Sequence, residues 1–149
     1  PGFRVNYISL RIADDLHFKY CSDTFGMYPF LPRMSWKTFG TPQIPSNFPP
    51  LETVLAKASA SEAQSRLEEL SESLTDGLNV LPLNSIIATF PQIYAPFCEF
   101  LLRSVEEGAR FIDLNTVARS LDIGALPSCE VINARAFGMA GEVSVQSFE

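Results

Sequence analysis

The densest group of side chains capable of chemistry is Asp14, Asp15, His17 and Cys21. Cysteine–histidine catalysis needs a base beside a thiol so that the thiolate forms at neutral pH, and an i, i+4 spacing sets His17 and Cys21 on one face of a helix. The local pattern, however, predicts the end of a strand here, and no third residue is specified to orient the imidazole. His17 is the chain's single histidine, so a serine triad would depend on it too, and no Gly-x-Ser-x-Gly elbow is present. The carboxylate pairs Glu68-Glu69 and Glu106-Glu107 are adjacent on expected helices. Neighbours on a helix diverge by about 100°, so neither pair can converge on one bond. The residue types point away from catalysis, and no catalytic residue is assigned.

Metal and cofactor chemistry fare no better. Cys21, Cys98 and Cys129 form no Cys-x-x-Cys pair, and a lone histidine gives no zinc-finger spacing, so no metal site is expected. The chain contains no Walker A loop, Gly-x-Gly-x-x-Gly, EF-hand loop or kinase signature, so no cofactor is expected. Thr116–Gly124 has the Val-Ala-x-x-Leu pattern of a first helix in a helix-turn-helix, which makes a nucleic-acid binder a third functional reading. The residues that follow, 125–131, supply a proline and an acid where a basic recognition helix should run. Gly138-x-x-Gly141 has the spacing of a phosphate-clamping loop, but Met139 and Ala140 offer no cation, and a turn is expected instead.

An odd cysteine count and the lack of Asn-x-Ser/Thr sequons point to a reducing setting: intracellular, cytoplasmic or within an assembly. The opening Pro-Gly-Phe-Arg-Val does not read as a signal peptide. Residues 77–98 carry no charge, but Pro82, Pro91 and Pro96 break them into pieces shorter than the ~20 apolar residues of a membrane span. Burial in a core or in a subunit contact is expected for this stretch.

The elements that must position these residues follow from local pattern. Residues 3–12 alternate in part and are rich in strand formers, which predicts a strand ended by Asp14-Asp15. Pro49-Pro50 open a helical region whose apolar face runs through Leu51, Val54, Leu55 and Ala58, then Ala63, Leu67, Leu70 and Leu74, with Gly77 as its stop. Ser59-x-x-Glu62 matches a capping box and predicts a break near residue 59. The opposite, charged face of Glu62, Arg66, Glu68, Glu69 and Glu72 reads as solvated. A further helix begins between Thr89 and Pro96, with Phe97, Phe100, Leu101 and Val105 on one face and Gly108 as its end. A short helix follows Asp113 or Asn115, and strands at 129–137 and 142–148 form a hairpin through Gly138–Gly141. The expected fold is α+β: one domain over residues 1–149. It has a small antiparallel sheet from an N-terminal strand and a C-terminal hairpin, three to four central helices, and a long irregular Pro/aromatic segment over 22–50.

That segment carries the functional expectation. Six prolines and two glycines between residues 29 and 50 and at Gly26 exclude a helix, yet Phe25, Tyr28, Phe30, Trp36, Phe39 and Phe48 stand among only three charges, Asp23, Arg33 and Lys37. Disorder needs few aromatics and high charge, so these rings must be buried somewhere. Either the segment wraps its own domain as a long ordered loop, or it lies as an arm across a neighbouring subunit. Charge is also divided. Residues 1–50 have five cations against three anions, and residues 51–149 have six against fourteen, within a total of −6. The reading that follows is a non-catalytic structural or interaction subunit of a larger protein assembly, its partners being self or other protein subunits. Tyr28, Phe30, Trp36, Phe39 and Phe48 are its expected contacts. Nucleic acid is disfavoured by the acidity. The alternative is a small-molecule-binding module or enzyme with an aromatic-lined pocket roofed by the same segment.

Overall fold

The computed structural model describes residues 2–55, 58–88, 90–136 and 139–148. The fold is α+β with a small sheet. The chain divides into two compact units: Pro1–Asn47 with Ile112–Glu149, and the contiguous Phe48–Phe111. The first boundary falls close to the compositional step seen near residue 50.

In the first unit the expected N-terminal strand is replaced by a helix, α1 (Tyr7–Asp15). The reason is a reciprocal cap. The Ser9 amide donates to Asn6 Oδ1 at 2.9 Å, and the Asn6 amide donates to Ser9 Oγ at 2.9 Å, which satisfies two amides at the helix start. Leu10 and Ala13 are then buried. Partial alternation over 3–12 gave the strand signal, but Asn-x-x-Ser outweighs it. Asp14-Asp15 do end the element. The chain leaves α1 through His17 in the left-handed region (φ 54°), with the Phe18 amide bonded to Ala13 O at 3.0 Å and the His17 amide to Asp14 O at 2.9 Å. This is a Schellman stop built on histidine in place of the usual glycine.

The sheet comprises β1 (Leu31–Met34), β2 (Lys37–Thr38), β3 (Ser128–Arg135) and β4 (Glu142–Gln146), in the order β2-β1-β3-β4. It is mixed rather than antiparallel: β1 lies parallel to β3, with Pro32 beside Cys129 and Arg33 beside Glu130, while β1–β2 and β3–β4 are antiparallel. Two of its strands therefore come from the segment expected to be irregular. The C-terminal pair matches expectation, with Arg135 opposite Glu142. Of the expected turn at Gly138–Gly141, Gly138 lies outside the described residues, as does Phe137 at the end of the expected strand.

The rest of the Pro/aromatic segment pairs without forming regular strands. The Cys21 amide donates to Pro42 O at 2.9 Å, the Ile44 amide to Cys21 O at 2.8 Å, and the Gly26 amide to Ser46 O at 3.0 Å. Along the outer edge of β4, the Phe25 amide donates to Ser144 O at 2.9 Å, the Gln146 amide to Phe25 O at 2.8 Å, and the Ser144 amide to Phe3 O at 2.7 Å. An edge strand that would present unpaired groups is thus covered by residues 3–5 and 25–26. Val5, Leu10, Phe30, Phe39, Cys129 and Val131 form the core beneath.

The second unit is helical: α2 (Leu51–Val54), α3 (Ala60–Glu72), α4 (Ser85–Ala88) and α5 (Pro91–Glu106). The break before α3 is the capping box read from sequence, with the Ser59 amide donating to Glu62 Oε2 at 2.8 Å. α3 ends at Glu72, ahead of Gly77, because the Ser73 amide and hydroxyl fold back on Leu70 O. Thr89 lies outside the described residues, and α5 begins at Pro91, where a missing N–H costs no bond. Ala63, Leu67 and Leu70 of α3 share a core with Ile93, Phe97 and Phe100 of α5, the last two rings stacked at 6.2 Å. Gly108 (φ 100°) ends α5 as expected. No described helix is long and apolar enough to cross a membrane. In the first unit, α6 (Leu114–Ser120) is capped by Asp113, whose Oδ1 accepts from the Thr116 amide at 2.9 Å.

Gly26 is where the edge covering is tightest. A Cβ there would sit 2.5 Å from Gln146 Oε1 and 2.8 Å from its Cβ. Gln146 cannot move aside, because its Oε1 accepts from the Met27 amide at 3.0 Å and its Nε2 donates to Cys129 Sγ at 3.4 Å. Gly26→Ala should therefore lower the unfolding free energy by about 1–3 kcal/mol in urea denaturation. A loss under about 0.5 kcal/mol would show that the edge yields freely.

Candidate functional site

The Asp14–Cys21 group is committed to structure. The Asp14 carboxylate accepts from the Gly40 amide at 3.0 Å and the Thr41 amide at 2.7 Å, tying α1 to the turn after β2. Asp15 pairs with Arg11 at 3.3 Å on the helix surface. His17 is the helix stop described above. Burial, reinforced by the neighbouring Asp23 and by Asp14, pushes the Cys21 thiol up to about 11. A thiol in that range is protonated at neutral pH, whereas nucleophilic cysteine chemistry needs the thiolate.

The helix-turn-helix reading also fails on geometry. After α6 the chain makes a three-residue 3₁₀ turn, Ile123–Ala125, and then enters β3. Asp122 caps that turn through the Gly124 amide at 3.0 Å, and Pro127 follows, so no recognition helix stands beside α6. Among the described residues no group of three His, Cys, Asp or Glu side chains is placed to hold a metal ion.

The five expected contact residues separate sharply. Phe30 and Phe39 are fully buried in the core of the first unit, and Phe48 is buried in the core of the second. These three satisfy their burial inside the chain's own units and are corrected from contact residues to core residues. Phe39 also takes the edge of Tyr7 at 5.3 Å and has Lys37 Nζ 4.8 Å from its ring centroid. Tyr28 is exposed and meets Phe148 edge to face at 5.8 Å, with Met27 exposed beside it. Trp36 is 98% exposed.

Trp36 owes that exposure to the turn beneath it. Met34 pairs with Lys37, so β1 and β2 are joined by the two residues Ser35 and Trp36 alone. Both are left-handed, at φ 51° and 66°. Positive φ at both central positions is a type I′ turn, whose twist matches a right-handed hairpin and which ordinarily takes Asn-Gly. A bulky side chain in this region costs about 1–2 kcal/mol relative to glycine. The hairpin is held at its base by backbone pairing of β1 to β3 and by Arg33–Glu130 at 3.4 Å. The paired strands thus present one large aromatic ring to solvent, with no cover among the described residues. No family model matches the chain.

Sequence reasoning names Trp36 among the aromatic candidates but does not separate it from the buried Phe30 and Phe39. The signal was available in part: Pro32 and the alternation Leu31, Arg33 frame a short strand, and Ser35-Trp36 stands where a turn must fall. Ser-Trp is not a turn signature, so the hairpin was missed.

Asp14 yields a pH test. Burial raises its carboxyl, but the amides of Gly40 and Thr41, the Thr41 hydroxyl and Lys37 together outweigh that and hold it below the ordinary aspartate value. On acidification the unfolded state binds this proton first, so the contribution is present above the unfolded pKa and is lost as pH falls through the folded one. Asp14→Asn should be less stable than the parent at neutral pH, with the gap in urea midpoint closing toward pH ~3. A gap that stays constant across that window would show that the carboxylate charge contributes nothing.

Proposed function

We propose that this chain is a non-catalytic interaction subunit of a larger protein assembly, and that the Trp36 hairpin is its contact element. The observation that carries the reading is a nearly fully exposed tryptophan on a strained two-residue turn. Soluble surfaces rarely hold a lone tryptophan at such cost, and tryptophan is the residue most enriched among interface anchors. A tip fixed by paired strands loses little freedom on docking, so most of the contact energy of the ring is retained. The use to which Asp14, His17 and Cys21 are put supports a non-catalytic role for that cluster.

The chain has a single tryptophan, so its fluorescence reports this position directly. In complexes recovered with the tagged chain, Trp36 emission should shift to the blue and resist acrylamide quenching, and Trp36→Ala should weaken recovery of the same partners about 30-fold or more. Trp36→Gly should at the same time leave stability unchanged or raise it by up to about 1 kcal/mol, since glycine relieves the left-handed strain. Water-like emission in every complex, with partner recovery unaffected by Trp36→Ala, would overturn the proposal. A stability loss above about 1 kcal/mol for Trp36→Gly would mark the ring as structural.

A further inference from the structure

The outer edge of β4 is covered, but β3 changes partner halfway along its length and leaves a second edge open. β1 pairs with β3 over Ser128, Cys129 and Glu130, whereas β4 pairs with it over Val131–Arg135. Past Arg33, β1 has only Met34 left before the chain turns back at Ser35-Trp36 into β2. The lane that β1 fills beside the first half of β3 is therefore vacant beside the second half, among the described residues.

The groups that face this lane follow from the opposite edge. Ser144 and Gln146 turn their amides outward, to Phe3 and Phe25. Alternate residues of a strand face opposite edges, so Val143 and Val145 turn inward, onto their register partners Ala134 and Ile132. Asn133 and Arg135 then point their N–H and C=O groups away from β4, into the vacant lane. No loop or turn bond among the described residues reaches them, and both residues are exposed. An open row of alternating backbone donors and acceptors is complemented by one more extended chain.

Charge narrows what that chain carries. Asn133 and Arg135 share one face of the strand, and Ile132, 45% exposed, shares the other with Ala134. Arg135 makes no ion pair among the described residues. Its cross-strand neighbour Glu142 also has Arg4 beside it, with Arg4 Nε donating to Glu142 O at 2.9 Å, so two cations meet one anion at this end of the sheet. A second copy of the chain is a poor match. Met34 already fills the lane beside Val131, so two β3 edges could pair antiparallel only with the Arg135 side chains as direct or diagonal neighbours on one face, and like charges so placed are destabilising. β2 of a second copy offers two residues, one of them the cation Lys37.

We infer that the β3 edge at Asn133 and Arg135 receives, antiparallel, an extended segment of a different protein that sets an acidic side chain opposite Arg135 and aliphatic ones beside Ile132. The inference rests on the reading of this chain as an interaction subunit and adds the chemistry of its partner. Trp36, at the turn that ends β1, stands where the lane opens.

Nuclear magnetic resonance of the chain, titrated with a terminally blocked eight-residue peptide alternating glutamate and valine, tests this. In the free chain the Asn133 and Arg135 amides should exchange with solvent at least about 100-fold faster than those of Ile132 and Ala134; equal protection would show the lane already filled and overturn the inference. The peptide should shift the Asn133 and Arg135 amides with a Kd of about 0.1–1 mM, and its lysine-for-glutamate counterpart should bind about three- to tenfold more weakly. In an antiparallel pair the residues opposite Asn133 and Arg135 bond through their own amides, so N-methylation of the glutamates should abolish binding, while N-methylation of the valines should leave it within about threefold. Arg135→Gln, at an exposed position, should still bind the glutamate peptide but no longer prefer it to the lysine one. No shift at the two amides up to about 3 mM peptide overturns the inference, as does indifference to glutamate methylation or a charge preference that survives Arg135→Gln. Partner recovery that depends on Trp36, with no peptide shift at Asn133 or Arg135, would leave the Trp36 contact standing and the edge overturned. Peptide binding at the edge, with no partner recovered through Trp36, would establish the edge and overturn the Trp36 contact.

Discussion

The first unit depends on the backbone bonds around Phe25. Its amide and carbonyl engage Ser144 and Gln146 on β4, while Ser144 also receives the N-terminal stretch through Phe3. Two pieces from the first 25 residues thus meet on the edge of a strand more than a hundred residues later in the chain. The Phe3 and Phe25 rings then pack with centroids 4.5 Å apart and planes tilted by 36°, and the Val5 amide donates to the buried Ser144 hydroxyl at 2.9 Å. Without that junction β4 has an open edge and the Pro-rich segment has no rail to follow. With it, the segment is guided past Gly26 and into β1, and the Trp36 hairpin is fixed at its root.

Prolines explain why this rail is built from isolated pairings rather than strands. Outside β1 and β2, Pro29, Pro42 and Pro45 each remove a donor, so the chain there makes isolated pairings at Cys21, Phe25, Phe30, Gln43 and Ser46 in place of a continuous ladder. Polar side chains then complete the network. Buried Gln43 accepts from the Asp23 amide at 3.1 Å, and the Ser22 hydroxyl donates to Ile44 O at 2.7 Å. The result is an ordered segment whose sequence reads as irregular.

How far the chain could be read in advance follows from the range over which each signal acts. The helical unit was legible because its determinants are local: Ser59 and Glu62 form the cap that their spacing announces, Pro91 opens α5 and Gly108 closes it. The β3–β4 pair was legible for the same reason. The β1–β2 hairpin was not, since its strands are fixed by β3, nearly a hundred residues away, and its turn uses Ser-Trp against propensity. α1 was misread because a partial period of two in residues 3–12 masked an Asn-x-x-Ser cap. Of the five aromatic contacts expected, the sequence could count the rings but not sort them. Phe30 and Phe39 differ from Trp36 only in where long-range pairing sets them, and no local pattern encodes that. The step in charge near residue 50 was real, but its meaning changed: the basic first third folds with acidic residues 112–149, so the acidity resides chiefly in the inserted helical unit.

That insertion has a consequence for the order in which the molecule can be completed. The helical unit is one continuous stretch and can close as soon as residue 111 is available, whereas β1 has no partner until β3 is synthesised and Phe25 has none until β4 appears. During synthesis the rings of Phe25, Phe30 and Phe39 must therefore wait unburied while the whole of the helical unit is made behind them. Residues 144–146, made after the helical unit, are the ones that cover Phe3 and Phe25.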